Sequence, residues 1–170
     1  IVGPSNLQTL LETIPPYWLP ALELFAKRVG DPRTEAGKKH LTDRSPLSRA
    51  DKIQRPLLIG QGANDPRVKQ SESDQIVKAM KAKNIPVVYA LFPDEGHGFA
   101  RPENRLAFNA VTEQFLAKTL GGLAEPIGDD LTNSSLQVPE GASQIPGLAE
   151  SLKSLPAPKT DGAAKSGSGS

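Results

Sequence analysis

The pattern that decides the fold is RPLLIGQGANDPRV at Arg55–Val68 followed by PVVYALFPDEGHGF at Pro86–Phe99. In each half a short apolar run empties into a polar, glycine-bearing loop. Leu57-Leu58-Ile59, bounded by Pro56 and Gly60, is too short for a helix and reads as a buried strand of a parallel sheet. Val87–Phe92 reads as a second strand. Between them, Lys69–Lys83 places Ile76, Val77 and Met80 on one helical face. Glu72 and Asp74 lie near the start of that helix and Lys78, Lys81 and Lys83 near its end, the order that the helix dipole favours. Strand, loop, helix, strand is an α/β unit. Ligands of such sheets sit beyond the carboxyl ends of the strands, where Asp65 and His97 fall.

Upstream, Ile1–Asn6 reads as the end of a buried strand turning at Gly3-Pro4, and Leu7–Thr13 as a short helix stopped by Pro15-Pro16. Tyr17–Val29 is expected to be one amphipathic helix with Leu22, Phe25, Ala26 and Val29 on its inner face. Arg33–Leu41 reads as a charged, exposed helix and Ser48–Gln54 as a connector. Downstream, Pro102 opens a long helix whose apolar stripe is Phe108, Val111, Phe115 and Leu116, ended by Gly121-Gly122. The fold class is therefore α/β, the C-terminal part of a doubly wound parallel sheet flanked by helices. Two regions are expected: 1–122 as the folded portion, and 123–170 as a proline-, glycine- and serine-rich tail, mostly irregular, loosely docked or disordered. Lys165–Ser170 (KSGSGS) looks like a flexible linker or an appended remnant.

Composition excludes several classes of function. Twenty basic and 19 acidic residues are interspersed, for a net charge of +1, and no basic stripe points to nucleic acid. Mean hydropathy is -0.36, and no run approaches the length needed to span a bilayer, so no membrane is expected. The absence of cysteine removes disulfides and thiolate metal sites and leaves the compartment open. Two histidines, His40 and His97, are too few for a histidine-rich centre, so no metal and no cofactor are expected. The chain begins Ile1-Val2-Gly3 and its single methionine is Met80, so its start reads as cut from something longer.

His97 sits in Glu95-Gly96-His97-Gly98-Phe99, where flanking glycines allow turns closed to other residues and a close approach by substrate. An ordinary surface-loop histidine has the same appearance. Asp65 lies in Asn64-Asp65-Pro66, which is also common turn chemistry in which aspartate caps the next helix. The pair carries more than either residue. An acid followed by a histidine at adjacent strand ends fills the second and third places of a Ser–Asp–His order. No G-x-S-x-G elbow occurs in the 170 residues, so that order puts the serine upstream of Ile1.

QGANDPRV at Gln61–Val68 with EGHGF at Glu95–Phe99, together with GPSN at Gly3–Asn6 and IPPYW at Ile14–Trp18, resembles the catalytic C-terminal region of the prolyl oligopeptidase family. The likeness is greatest to its acylaminoacyl-peptidase and dipeptidyl-peptidase-like bacterial members, and it runs from about Val2 to Gly122. It implies an α/β-hydrolase fold and a serine-type peptidase acting on oligopeptides, with Asp65 as triad acid and His97 as general base. It also implies that Arg67 binds a substrate carbonyl and that Val68 lines the pocket beside the scissile bond. Tyr17 and Trp18 fall roughly where the family has pocket aromatics, though helix packing explains them equally well. The partners implied are a peptide substrate and an N-terminal part holding a β-propeller and the first half of the hydrolase domain.

Two other readings remain open on the sequence. One is an esterase or dienelactone-hydrolase-like enzyme of the same fold. The other is a fragment inactive on its own, made prone to association by an unpaired strand edge at Leu57–Ile59.

Overall fold

A computed structural model describes residues 1–155. Its centre is β1 (Leu57–Gly62) paired in parallel with β2 (Val87–Phe92), in register from Leu57 opposite Val87 to Gly62 opposite Phe92. The helix α4 (Gln70–Ala82) connects them. Every residue of β2 is buried, and its side chains divide by parity between two cores. Val87, Tyr89 and Leu91 pack with Ile76, Val77 and Met80 of α4 and with Ala50. Val88, Ala90 and Phe92 pack with Ala107, Phe108 and Val111 of α5 (Pro102–Leu120).

The amino-terminal third contributes Leu47, Ala50 and Ile53 to the first of these cores. Here α1 (Leu7–Glu12) is capped by the Asn6 side chain, which accepts from Gln8 N. The expected helix over 17–29 divides into a 3-10 turn, Pro16–Ala21, and a short α2 (Leu22–Arg28), because Pro20 cannot donate to a helical ladder. Leu22, Phe25, Ala26 and Val29 are only half-buried. Next, α3 (Glu35–Arg44) is capped by Thr34 and anchored by fully buried Leu41, and a 3-10 stretch, Pro46–Lys52, leads to β1.

Several expectations are corrected. Ile1–Asn6 is irregular rather than a strand, with Val2 at φ +45°, and its link to the sheet is one main-chain hydrogen bond, Val2 N to Gly60 O at 2.9 Å. With its outer edge otherwise open among the described residues, β1 is half-buried over Leu57–Ile59 and buried only over Gly60–Gly62. Leu116 faces solvent, since the inner face of α5 runs through Asn104, Ala107, Phe108, Val111 and Gln114. The stretch 123–155 is mostly irregular, as expected, but it is not loosely docked. Ile127, Leu131, Leu136, Ile145 and Leu148 are buried in the α5 core. From this stretch β3 (Gln137–Glu140) pairs antiparallel with β2, making the sheet mixed, in the order β1-β2-β3. The segment closes with α6 (Leu148–Lys153). The reading of Lys165–Ser170 lies outside the described residues.

Candidate active site

The two loops meet at the carboxyl ends of β1 and β2. Ala63 N donates to Phe92 O (3.0 Å) and Asn64 N to Glu95 O (2.9 Å), so main-chain pairing extends past the strands into both loops. A Cβ on Gly62 would lie 2.3 Å from Gly96 O, so the glycine is what allows this approach. Gly98, at φ +108°, takes a conformation that other residues rarely adopt, and beyond it Phe99 stacks on Phe92 at 4.4 Å between ring centroids. The loop is thus pinned on one side by the β1 end and on the other by an aromatic anchor.

In this frame Asp65 and His97 come together: His97 Nδ1 and Asp65 Oδ2 are 2.8 Å apart. The Asp65 side chain is fully buried, whereas that of His97 is 33% exposed. The other carboxylate oxygen, Asp65 Oδ1, accepts from Arg67 N (2.8 Å) and Val68 N (2.9 Å). The turn-capping role and the imidazole-orienting role foreseen for Asp65 as alternatives are filled simultaneously, one by each oxygen. With three hydrogen bonds to a buried carboxylate, the acid has one fixed rotamer and holds the imidazole with Nδ1 inward. Nε2 has no hydrogen-bond partner among the described residues, leaving it available to exchange a proton with a group arriving at the rim.

Arg67 is exposed beside this pair, while Val68 is buried and turned away from solvent. Tyr17 is exposed and Trp18 half-buried, with the Trp18 ring against Phe25 at 5.6 Å. Neither belongs to the two buried cores. Ser5 follows Gly3-Pro4, but its hydroxyl donates to Glu72 O at 2.6 Å in a buried contact, so it is unavailable as a nucleophile. His40 is exposed on α3. Among the described residues no three His, Asp or Glu side chains converge as a metal site requires, and no helix is long and apolar enough to cross a membrane.

Three buried polar residues that support the loops escaped the sequence reading. Gln61 Nε2 donates to Gly62 O (2.9 Å) and Val68 O (3.0 Å) while its Oε1 accepts from Ser73 Oγ, tying the Asp65 loop to α4. Glu95 accepts from Ala100 N (2.7 Å) and Arg101 N (2.9 Å), drawing the far end of the His97 loop back to its start. Asn104 Nδ2 donates to the same Glu95 carboxylate at 2.7 Å. A polar residue inside the apolar run Leu57–Gly62 was the available signal for Gln61, and adjacency to His97 was that for Glu95.

A buried carboxylate therefore fixes an imidazole at the rim of an α/β sheet. The family model described as the prolyl oligopeptidase family, Peptidase_S9, matches residues 17–123, and the chain belongs to that family. It is 76% identical over 153 residues, 90% of its length, to dipeptidyl aminopeptidase BIII of Pseudoxanthomonas mexicana, of which it covers 22%. It is 51% identical over 136 residues, 79% of its length, to dipeptidyl peptidase family member 6 of Caenorhabditis elegans, of which it covers 18%. Among solved structures, a Mycobacterium tuberculosis puromycin-hydrolyzing peptidase superposes with a TM-score of 0.64 at 30% identity, over 73% of this chain and 18% of that one. The architecture is thus the C-terminal part of an α/β-hydrolase fold, and the chain spans about a fifth of the length of these relatives. A match of 153 residues within 170 necessarily takes in residues 18–153, so the likeness to the Pseudoxanthomonas protein continues well past residue 123.

Proposed function

We propose that this chain is the C-terminal portion of a serine peptidase's hydrolase domain and supplies the acid and base of its triad. The observation that carries this reading is the 2.8 Å contact between His97 Nδ1 and the buried Asp65 carboxylate. The nucleophilic serine comes from polypeptide preceding residue 1. His97 Nε2 takes the proton of that serine as it attacks a peptide carbonyl and delivers it to the leaving amine. Asp65 holds the productive tautomer and stabilises the imidazolium, remaining ionised throughout. Arg67, exposed at the rim, binds a substrate carbonyl through its planar guanidinium, whereas Val68, buried among the described residues, is not exposed to substrate and supports the Asp65 loop instead. The names of the two relatives, a dipeptidyl aminopeptidase and a dipeptidyl peptidase, favour release of dipeptides from free amino termini.

The isolated chain is inactive on this reading, because no serine elbow is present in it. A fluorophosphonate probe should label the parent protein and leave the 170-residue chain unlabelled; labelling of the chain alone would contradict the assignment. Dipeptidyl anilides compared with short acyl esters on the parent separate peptidase from esterase, and a strong preference for esters would overturn the peptide assignment.

A further inference from the structure

The His97 loop is braced from outside the region that matches the family model. Glu95, buried next to the turn that carries His97, accepts two main-chain N–H groups of residues 100 and 101 and the amide of Asn104. Asn104 is fully buried in the first turn of α5, and its other amide atom, Oδ1, accepts from Ser135 N at 2.9 Å. Ser135 belongs to the segment held down by Leu131 and Leu136, both buried in the α5 core. A second strand of contacts runs alongside: Asp94 accepts from Arg101, from Asn104 Nδ2 and from Ser135 Oγ, and Arg101 also donates to Asn133 O at 2.8 Å. Every side-chain polar atom of the inner chain Glu95–Asn104–Ser135 has a partner, which favours one arrangement of it.

We infer that the segment 127–148 is a positioning element for His97, acting through Asn104 and Glu95, and that Asn104 is a positioning residue for the reaction. The inference rests on reading His97 as the general base. Asn104 touches neither Asp65 nor His97. It fixes the Glu95 carboxylate, and Glu95 in turn fixes both ends of the loop from which His97 reaches the rim. The segment therefore contributes to catalysis although it follows the last residue matched by the family model. A displaced loop lengthens the Nδ1–Oδ2 contact and misaims Nε2, and misplacement of about 1 Å is enough to cost on the order of a hundredfold in rate.

Two variants test this. Asn104→Leu keeps the volume and removes the relay; Ser135→Pro removes the main-chain donor together with the hydroxyl and leaves the anchoring leucines. Ser135→Ala, which removes the same hydroxyl but keeps the N–H group, is the control. In the parent protein, Asn104→Leu and Ser135→Pro should lower kcat by about tenfold or more with KM changed by less than about threefold, while Ser135→Ala stays within about threefold of wild type. In the 170-residue chain, whose two histidines make ring signals easy to assign, the His97 Nδ1 proton should exchange with solvent about tenfold faster or more in Asn104→Leu. Folded variants whose kcat and Nδ1 proton exchange both match wild type would overturn the inference. If the wild-type parent cleaves no peptide, the proposed function fails by itself, and the exchange rate still decides whether the segment holds the histidine.

Discussion

Gly62 lies directly beneath Gly96: the end of β1 and the turn before His97 approach so closely that a single added methyl would sit 2.3 Å from the Gly96 carbonyl oxygen and 2.6 Å from the Glu95 carbonyl carbon. Both obstacles are backbone, so relief requires moving the loop. Gly62→Ala is therefore expected to push the His97 loop off Asp65. In the parent protein kcat/KM should fall by about a hundredfold, with loss of about 2 kcal/mol in stability from strain. Steady-state kinetics and chemical unfolding of the same variant measure the two effects.

Glu72 is a buried carboxylate with no ion-pair partner among the described residues. It accepts from Ser5 N (3.0 Å), Asn6 N (2.8 Å) and the Thr9 hydroxyl, fastening the amino-terminal segment and the start of α1 to the first turn of α4. Removing it strands two main-chain donors. Glu72→Ala should cost about 3 kcal/mol, with residues 5–12 losing amide protection before the rest of the chain. Hydrogen exchange resolved by residue checks the order of loss.

Leu148 is fully buried against β2 and α5 although it lies 25 residues past the last position matched by the family model. As a core residue, Leu148→Ala should destabilise the chain by about 3 kcal/mol. A loosely docked appendage would give a change near zero in the same urea titration.

Two shifted groups bound the pH range of stability. Burial, and then the negative charge of Asp74, which accepts the phenol hydrogen bond at 3.0 Å, push the Tyr89 hydroxyl above its ordinary 10.0. Its contribution is complete below pH 10.0 and declines as pH rises beyond that toward the higher folded value, so alkaline unfolding should come earlier than in Tyr89→Phe. At the acid end, partial burial raises Asp94, but hydrogen bonds from Ser135, Arg101 and Asn104 outweigh it and hold the carboxyl below its ordinary 3.8. That contribution is present above pH 3.8 and is lost as pH falls through the lower folded value. Thermal unfolding of wild type and Asp94→Asn across the acid range should show the two curves converging as pH drops.

The Asp65–His97 contact and the two strands that carry it were legible because their signals are local. Val87–Phe92 is an uninterrupted apolar run between breakers, and aspartate and histidine following such runs stand out by residue type. The carboxyl-terminal packing was not legible. Ile127, Leu131, Leu136, Ile145 and Leu148 are spaced 4, 5, 9 and 3 residues apart, so no single period runs through them long enough for one window to reveal their shared core. The different burial of β1 and β2 was also hidden, since their similar apolar runs differ only in how many neighbours flank them. Nothing in the sequence around Asn104 or Glu95 signals that they are buried. Only their partners, 31 residues away in the case of Ser135, explain why they are buried.

The division of labour between Asp65, His97 and a serine from elsewhere is tested most directly by turnover of a dipeptidyl anilide by the parent protein carrying His97→Ala. Loss of the general base should lower kcat by about four orders of magnitude or more, with the fold intact by circular dichroism. Turnover within about tenfold of wild type would remove His97 from the mechanism and leave the 2.8 Å contact with Asp65 as a structural bond alone.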